Sequence, residues 1–326
     1  MKAATAAAAF LMLLPAGARA QTPVADSSQH KIQFVTVDKD VKLEVLDWGG
    51  KGPPLVFMAG LGNTAHGFDG FAEKFTGTHH VYGITRRGFG DSSKPAPTPE
   101  NYGPDRLGDD VLAVIDALTL QKPVLAGHSI AGQELTSIGT RHPEKVAGLI
   151  YLEAGYEYSF FNAKFADGST RYGVVVDMDV LRHDLQHLSS TPPAEARALI
   201  GEIQQIMPRL QKTLRWYAPQ DEVADRAARP QMWPYVDAVE GAQRRYTVGP
   251  KLPMLALFAV PQDCGKCDDP NQKIWDAAGV VAANAFEAGN PGARVVRIAH
   301  ARHGIWKSNE ADVLREMNAF LGRLPQ

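Results

Sequence analysis

Short apolar runs separated by helix-spaced segments constrain this chain more than any other feature. Residues 55–59, 80–85, 124–126, 146–152, 254–260 and 294–298 are mostly apolar and too brief for packed helices, so they read as strands. Between them, apolar side chains recur at three- and four-residue steps over 67–75, 104–118, 130–140, 272–287 and 310–321. In the second of these they fall at Leu107, Val111, Val114, Ile115 and Leu118. Strands that are apolar on both faces need cover on both faces, and helical crossovers supply it. The pattern therefore predicts a mostly parallel sheet between two helical layers. Ahead of it, 32–37 and 41–48 flank Asp38-Lys39-Asp40 and read as a hairpin that makes one edge antiparallel. The alternation stops between Ala154 and Pro250. That stretch carries helix formers over 180–188 and 193–206 and aromatic residues such as Phe160, Trp216 and Trp233, and it reads as a mostly helical insertion. Asn309 is placed to cap the last helix, with Asp312 facing the unpaired N–H groups of its first turn.

With 326 residues, 44% of them hydrophobic and 21% charged, the chain can bury a large core from size alone. Its 34 basic and 36 acidic residues are interspersed and leave a net charge of −2, which offers no electrostatic footprint for nucleic acid. Residues 1–20 combine Lys2, an apolar run to Leu14 and small residues at Ala18 and Ala20, the pattern of a secretory signal peptide cut after Ala20. Pro15 and Gly17 interrupt the run before it is long enough to span a bilayer. Cleavage would remove Lys2 and Arg19, bring the net charge to −4 and leave a secreted or periplasmic protein with no stable membrane anchor. Cys264 and Cys267, the only cysteines, stand in a C-x-x-C spacing. Outside the cytosol a local disulfide is the expected state, with free thiols as the alternative. A zinc site would need two further ligands, and the turn residues on either side of the pair are unlike the helix start of a redox motif.

The chemistry concentrates where 124–126 run into Gly127-His128-Ser129-Ile130-Ala131-Gly132 and then a helix. A serine on so sharp a strand-to-helix corner projects its hydroxyl from the sheet edge toward a base, while the next peptide N–H points at the developing oxyanion. Small residues are needed two positions before and after the serine because strand and helix backbones approach closely there. In this setting the segment resembles the nucleophile elbow of the α/β-hydrolase superfamily, and the resemblance extends over nearly the whole chain after the leader. A second stretch, Arg86-Arg87-Gly88-Phe89-Gly90-Asp91-Ser92, is similar to the Asp-x-Arg-Gly-x-Gly-x-Ser segment of the epoxide hydrolase, dehalogenase, haloperoxidase and proline iminopeptidase branches. Thr85 stands where that segment has its aspartate, and Arg87 and Asp91 are expected to tie down a loop rather than to act chemically. The resemblance implies an eight-stranded, mostly parallel α/β sheet built from 30–154 and 250–326, with a helical cap over 155–249. It also implies a small-molecule substrate and no cofactor or metal.

Carried onto this sequence, the resemblance assigns Ser129 as nucleophile and the peptide N–H groups of Leu61 and Ile130 as the oxyanion hole. Ala59 stands where the family's oxyanion loop has a histidine, so Asn63 is the candidate to hold that loop. His303, after the last strand and followed by a glycine, is the expected base, with His300 second; His128 is expected to set the environment of its neighbour. For the acid, Asp263 after 254–260 comes first and Glu153 after 146–152 second, with Asp268 or Asp269 behind them. A Cys264–Cys267 bridge would restrain the loop carrying Asp263. A serine at the elbow excludes the aspartate chemistry of the epoxide hydrolase and dehalogenase relatives. The reading is a carboxylic ester hydrolase; an amide hydrolase, a C–C bond hydrolase or a non-catalytic binding protein on the same fold are the alternatives.

Overall fold

The computed structural model describes residues 30–165, 192–214, 226–243, 246–263 and 270–324, together with Leu185 and Leu188. The leader, the two cysteines, Asp268 and Asp269 lie outside the described residues. Eight strands form one sheet: β1 (Lys31–Asp38), β2 (Val41–Gly49), β3 (Pro54–Met58), β4 (His80–Ile84), β5 (Val124–His128), β6 (Gly148–Leu152), β7 (Met254–Ala259) and β8 (Ala293–Ile298). Their order across the sheet is β1-β2-β4-β3-β5-β6-β7-β8. The β1–β2 and β2–β4 pairs are antiparallel and the other five are parallel, which is the mixed edge that the hairpin predicts. Asp40, at φ 59°, closes the β1–β2 turn.

The longer helices among the described residues are α1 (Pro104–Ala117), α2 (Ala131–Arg141), α3 (Pro193–Leu214), α4 (Trp233–Gly241), α5 (Pro270–Gly289) and α6 (Glu310–Leu321). Every residue of β5, β6 and β7 is buried, so these strands show no polar–apolar alternation. On one face Val56, Leu125, Leu149 and Phe258 pack under Val111 and Ile115 of α1, Leu135 and Ile138 of α2 and Phe286 of α5. On the other, Phe57, Ala126, Ile150 and Leu257 meet Phe68, Phe71 and Phe75 and the α6 residues Val313, Met317 and Phe320. Between β6 and β7 come α3 and α4, and α4 packs Val236 and Val239 against Phe89, Leu107 and Ile130.

Two local expectations need correction. Residues 67–75 do not form one helix but two short 3-10 turns, Ala65–Phe68 and Ala72–Phe75, because Gly70 between them takes φ 76°, a left-handed conformation that ends helical geometry. Their phenylalanines still reach the core, ringing Phe57 at centroid distances of 4.9–5.9 Å. Asn309 does occupy the position before α6, but its side chain makes no capping hydrogen bond and its Oδ1 is buried without a partner among the described residues. Asp312 is instead taken up by Arg315 at 2.5 Å.

The strand order fixes where a site can lie. From β3 the chain moves to one neighbour, β4, and then returns to the other, β5. The connections after β3 and β5 thus diverge to opposite sides and leave a crevice at the carboxyl ends of these strands. Residues 59–63 and Ser129 both sit at this edge.

Candidate active site

Ser129 leaves β5 at φ 53°, with its N–H still donating to the Leu152 carbonyl of the neighbouring strand at 3.2 Å. This left-handed corner turns the chain into α2 within one residue, and such strain is tolerated where the surroundings fix it. A Cβ on Gly127 would come within 3.0 Å of Leu135 and 3.1 Å of Ala131, so the small residues expected at 127 and 131 face each other. The tightest approach is one residue further on, where a Cβ on Gly132 would stand 2.0 Å from the Ala154 carbonyl oxygen. That requirement is not visible in the sequence, since Ala154 lies beyond β6 and meets α2 only in the folded sheet.

His303 lies in the loop after β8. Its Nε2 is 2.9 Å from Ser129 Oγ, and its Nδ1 is 3.2 Å from Oε2 of Glu153. Glu153 directly follows β6, takes φ 50° and is fully buried. Its carboxylate also accepts the Ala259 N–H at 2.6 Å and the Tyr156 hydroxyl at 2.9 Å. Burial, and after it the charge of Glu153, push the Tyr156 phenol far above its usual range, so Tyr156 remains a donor. Asp263, the first choice for the acid, does not face His303. Its carboxylate takes the Arg302 guanidinium at 2.8 Å on the exposed side of the loop, while its own N–H ties to the Ala301 carbonyl. The difference comes from strand ends: Glu153 turns inward directly after β6, whereas Asp263 sits four residues past Ala259. His300 is exposed and uses its N–H to bridge to Pro261.

With this arrangement in view, likeness to known proteins falls into place. A family profile for the alpha/beta hydrolase fold matches residues 53–172. Epoxide hydrolase 4 of Mus musculus is 29% identical over 122 residues, 35% of this chain and 32% of that protein. The solved structure of E-2-(acetamidomethylene)succinate hydrolase covers 90% of this chain and 99% of its own at 16% identity, with a TM-score of 0.58. That of Est816, an N-acyl homoserine lactone degrading enzyme, covers 88% of this chain and all of its own at 20% identity and a TM-score of 0.55. The chain has the α/β-hydrolase fold. The structural likeness, at such identities, is one of fold, and the chain spans about a third of the length of the curated relatives it matches.

Within the superfamily fold, the loop after β3 supplies the second wall of the site. A Cβ on Gly60 would fall 2.6 Å from His128 Nδ1 and 3.3 Å from Ser129 Cβ, so the backbone leading to Leu61 runs against the turn that carries Ser129. The Leu61 and Ile130 N–H groups donate to no acceptor among the described residues. Asn63 does bond this loop, through Nδ2–H to the Leu61 carbonyl at 3.3 Å. The larger support is Arg86, which the sequence reading did not single out. Buried beneath the loop, it donates to the carbonyls of Ala59 at 3.0 Å and Gly60 at 3.4 Å and is held by Glu134 of α2 at 2.5 Å. Of the two residues expected to tie down a loop, Arg87 is fully buried and forks onto Asp110 of α1 at 2.5 and 2.6 Å, while Asp91 is exposed. Thr85 accepts the Ala65 N–H and donates to Glu44, which gives the position of the missing aspartate a hydrogen-bonding role.

His128 is no competitor for the proton of Ser129. Burial, reinforced by the neighbouring His303, lowers its pKa to about 3, so it is neutral, and its Nε2 lies 3.0 Å from the His303 carbonyl. A carbonyl only accepts, so Nε2 carries the hydrogen and anchors the His303 backbone. The His128 ring packs against both His303 and Trp306, at centroid distances of 4.7 and 4.6 Å.

Proposed function

We propose that this protein is a secreted serine hydrolase that cleaves small apolar carboxylic esters through an acyl-enzyme intermediate, with Ser129, His303 and Glu153 as its triad. The observation that carries this reading is one imidazole touching the elbow serine through Nε2 and a buried carboxylate through Nδ1. Ser129 Oγ attacks the ester carbonyl carbon and passes its proton to His303 Nε2. The carbonyl oxygen, now an anion, is received by the N–H groups of Leu61 and Ile130, where loss of one such donor costs about 2.7–4 kcal/mol of transition-state stabilisation. Collapse breaks the bond to the alcohol oxygen, which takes the proton back from His303. Water then enters by the same route, with His303 removing its proton, and releases the carboxylic acid and free Ser129. Glu153 stays ionised, fixes Nδ1–H and stabilises the imidazolium in both halves.

Leu61 and Ile130 lie in one apolar cluster with Tyr158, Met232 and Trp233, which favours an apolar group on the substrate and supports reading 155–249 as a cap. The compound named for Est816, an N-acyl homoserine lactone, contains a cyclic ester. Export rests on the leader at 1–20, and with it a disulfide between Cys264 and Cys267. A fluorophosphonate should label the protein, and Ser129→Ala should abolish labelling. In a panel of short esters, prolyl amides and vinylogous diketones, the esters should turn over fastest. No labelling would remove the nucleophile, and labelling without ester turnover would remove the ester assignment.

A further inference from the structure

Outside the triad, one cluster of side chains has the composition of a metal site. His30 precedes β1, while His66 and Asp69 flank the end of the first 3-10 turn after β3; one ligand-type atom from each lies within 4.8 Å of the other two. His30 Nδ1 stands 3.0 Å from Asp69 Oδ1, and His66 Nδ1 stands 3.6 Å from Asp69 Oδ2. Donors bound at about 2.0–2.1 Å around a tetrahedral ion stand about 3.3 Å apart; the two imidazoles meet different oxygens of Asp69, so the carboxylate turns to present one oxygen as the three donors close on the ion. We propose that His30, His66 and Asp69 bind one divalent transition ion of the zinc class, with a water completing the coordination.

The surrounding contacts are those that orient metal ligands. His66 Nε2 lies 3.1 Å from Oε1 of the buried Glu44, and the tautomer with its hydrogen on that nitrogen turns the Nδ1 lone pair toward Asp69. Glu44 is itself fixed by the Thr85 hydroxyl at 2.6 Å. Trp48 donates its indole N–H to Asp69 Oδ1 at 2.8 Å, which orients that carboxylate as well. Two imidazoles and a carboxylate form a borderline N,N,O donor set, suited to zinc rather than to calcium or magnesium. Glu44 and Asp69 together bring two negative charges to the cluster, which a dication balances.

Full-length protein stripped with a chelator and returned to neutral buffer should bind one equivalent of Zn²⁺, and Co²⁺ should give the visible absorption of a low-coordinate nitrogen–oxygen site. His66→Ala should abolish this stoichiometric binding. Glu44→Gln should weaken it by about 10–100-fold. Circular dichroism checks each variant, and Asp69→Asn serves if His66→Ala does not fold. A Cys264→Ser, Cys267→Ser double variant should bind as the parent does. No uptake by the parent protein, binding that survives loss of His66 or of the Asp69 carboxylate, or binding lost with the cysteines would each overturn the assignment.

Discussion

At the scale of single residues, the decisive fact is which carboxylate meets His303. If Glu153 orients the imidazole, Glu153→Gln should lower kcat/KM by about 10³–10⁴-fold with little change in folding, since the amide still accepts but holds the wrong tautomer. Asp263→Asn should change it less than threefold, because it alters only an exposed pair with Arg302. Steady-state kinetics on both variants decides the matter, and a reversed order of effects would return the acid to Asp263. His128 makes a different prediction. In the folded protein it titrates at about 3, against an unperturbed 6.5. Between those values the unfolded chain binds more protons than the folded one, so stability falls as the pH drops below 6.5. The loss is up to about 1.4 kcal/mol per pH unit for this group, and above 6.5 the contribution is constant. Urea midpoints measured between pH 7.5 and 4.5 should trace that slope. His128→Gln keeps an N–H for the His303 carbonyl and has no proton to gain, so its slope should be shallower; equal slopes would remove His128 as the source.

At the scale of elements, the loop after β3 and the helix α2 are joined by a buried guanidinium. Arg86 bridges the carbonyls of Ala59 and Gly60 to Glu134, so its removal strands a buried carboxylate as well as loosening the loop. Arg86→Met should destabilise the protein by about 3–5 kcal/mol. Adding Glu134→Leu should restore much of that stability, because an apolar pair replaces an ion pair at little net cost. It should not restore kcat, since the carbonyls of Ala59 and Gly60 then lack the guanidinium that positions them. A double variant that recovered both stability and kcat would show Arg86 to be structural only.

At the scale of the whole molecule, the parallel sheet provides the edge that carries Ser129, and the proposed function makes the segment between β6 and β7 its cover. Trp233, at the start of α4, shares a cluster with Ile130 and Leu61 rather than with the sheet core. Trp233→Ala should therefore raise KM for esters with a bulky apolar group by roughly tenfold, the equivalent of losing a modest apolar contact. Fluorophosphonate labelling of Ser129 and the urea midpoint should change little. If the midpoint collapsed while KM held, α4 would be a structural buttress instead of part of the pocket.

The sequence alone determined the architecture, because strand and helix periods are local properties and fully apolar strands admit only a sheet covered on both faces. It also marked Ser129 and His303, each by its place at a strand end, and the fold brings their side chains to 2.9 Å. Tertiary structure decided the rest. The choice between Glu153 and Asp263 depends on how the chain turns after β6 and after β7, within loops whose patterns read alike. The close fit of Gly132 to Ala154, the reach of Arg86 under the β3 loop and the meeting of His30 with His66 and Asp69 join residues 22 to 39 positions apart. Such contacts are set by packing across the sheet, and no local periodicity records them.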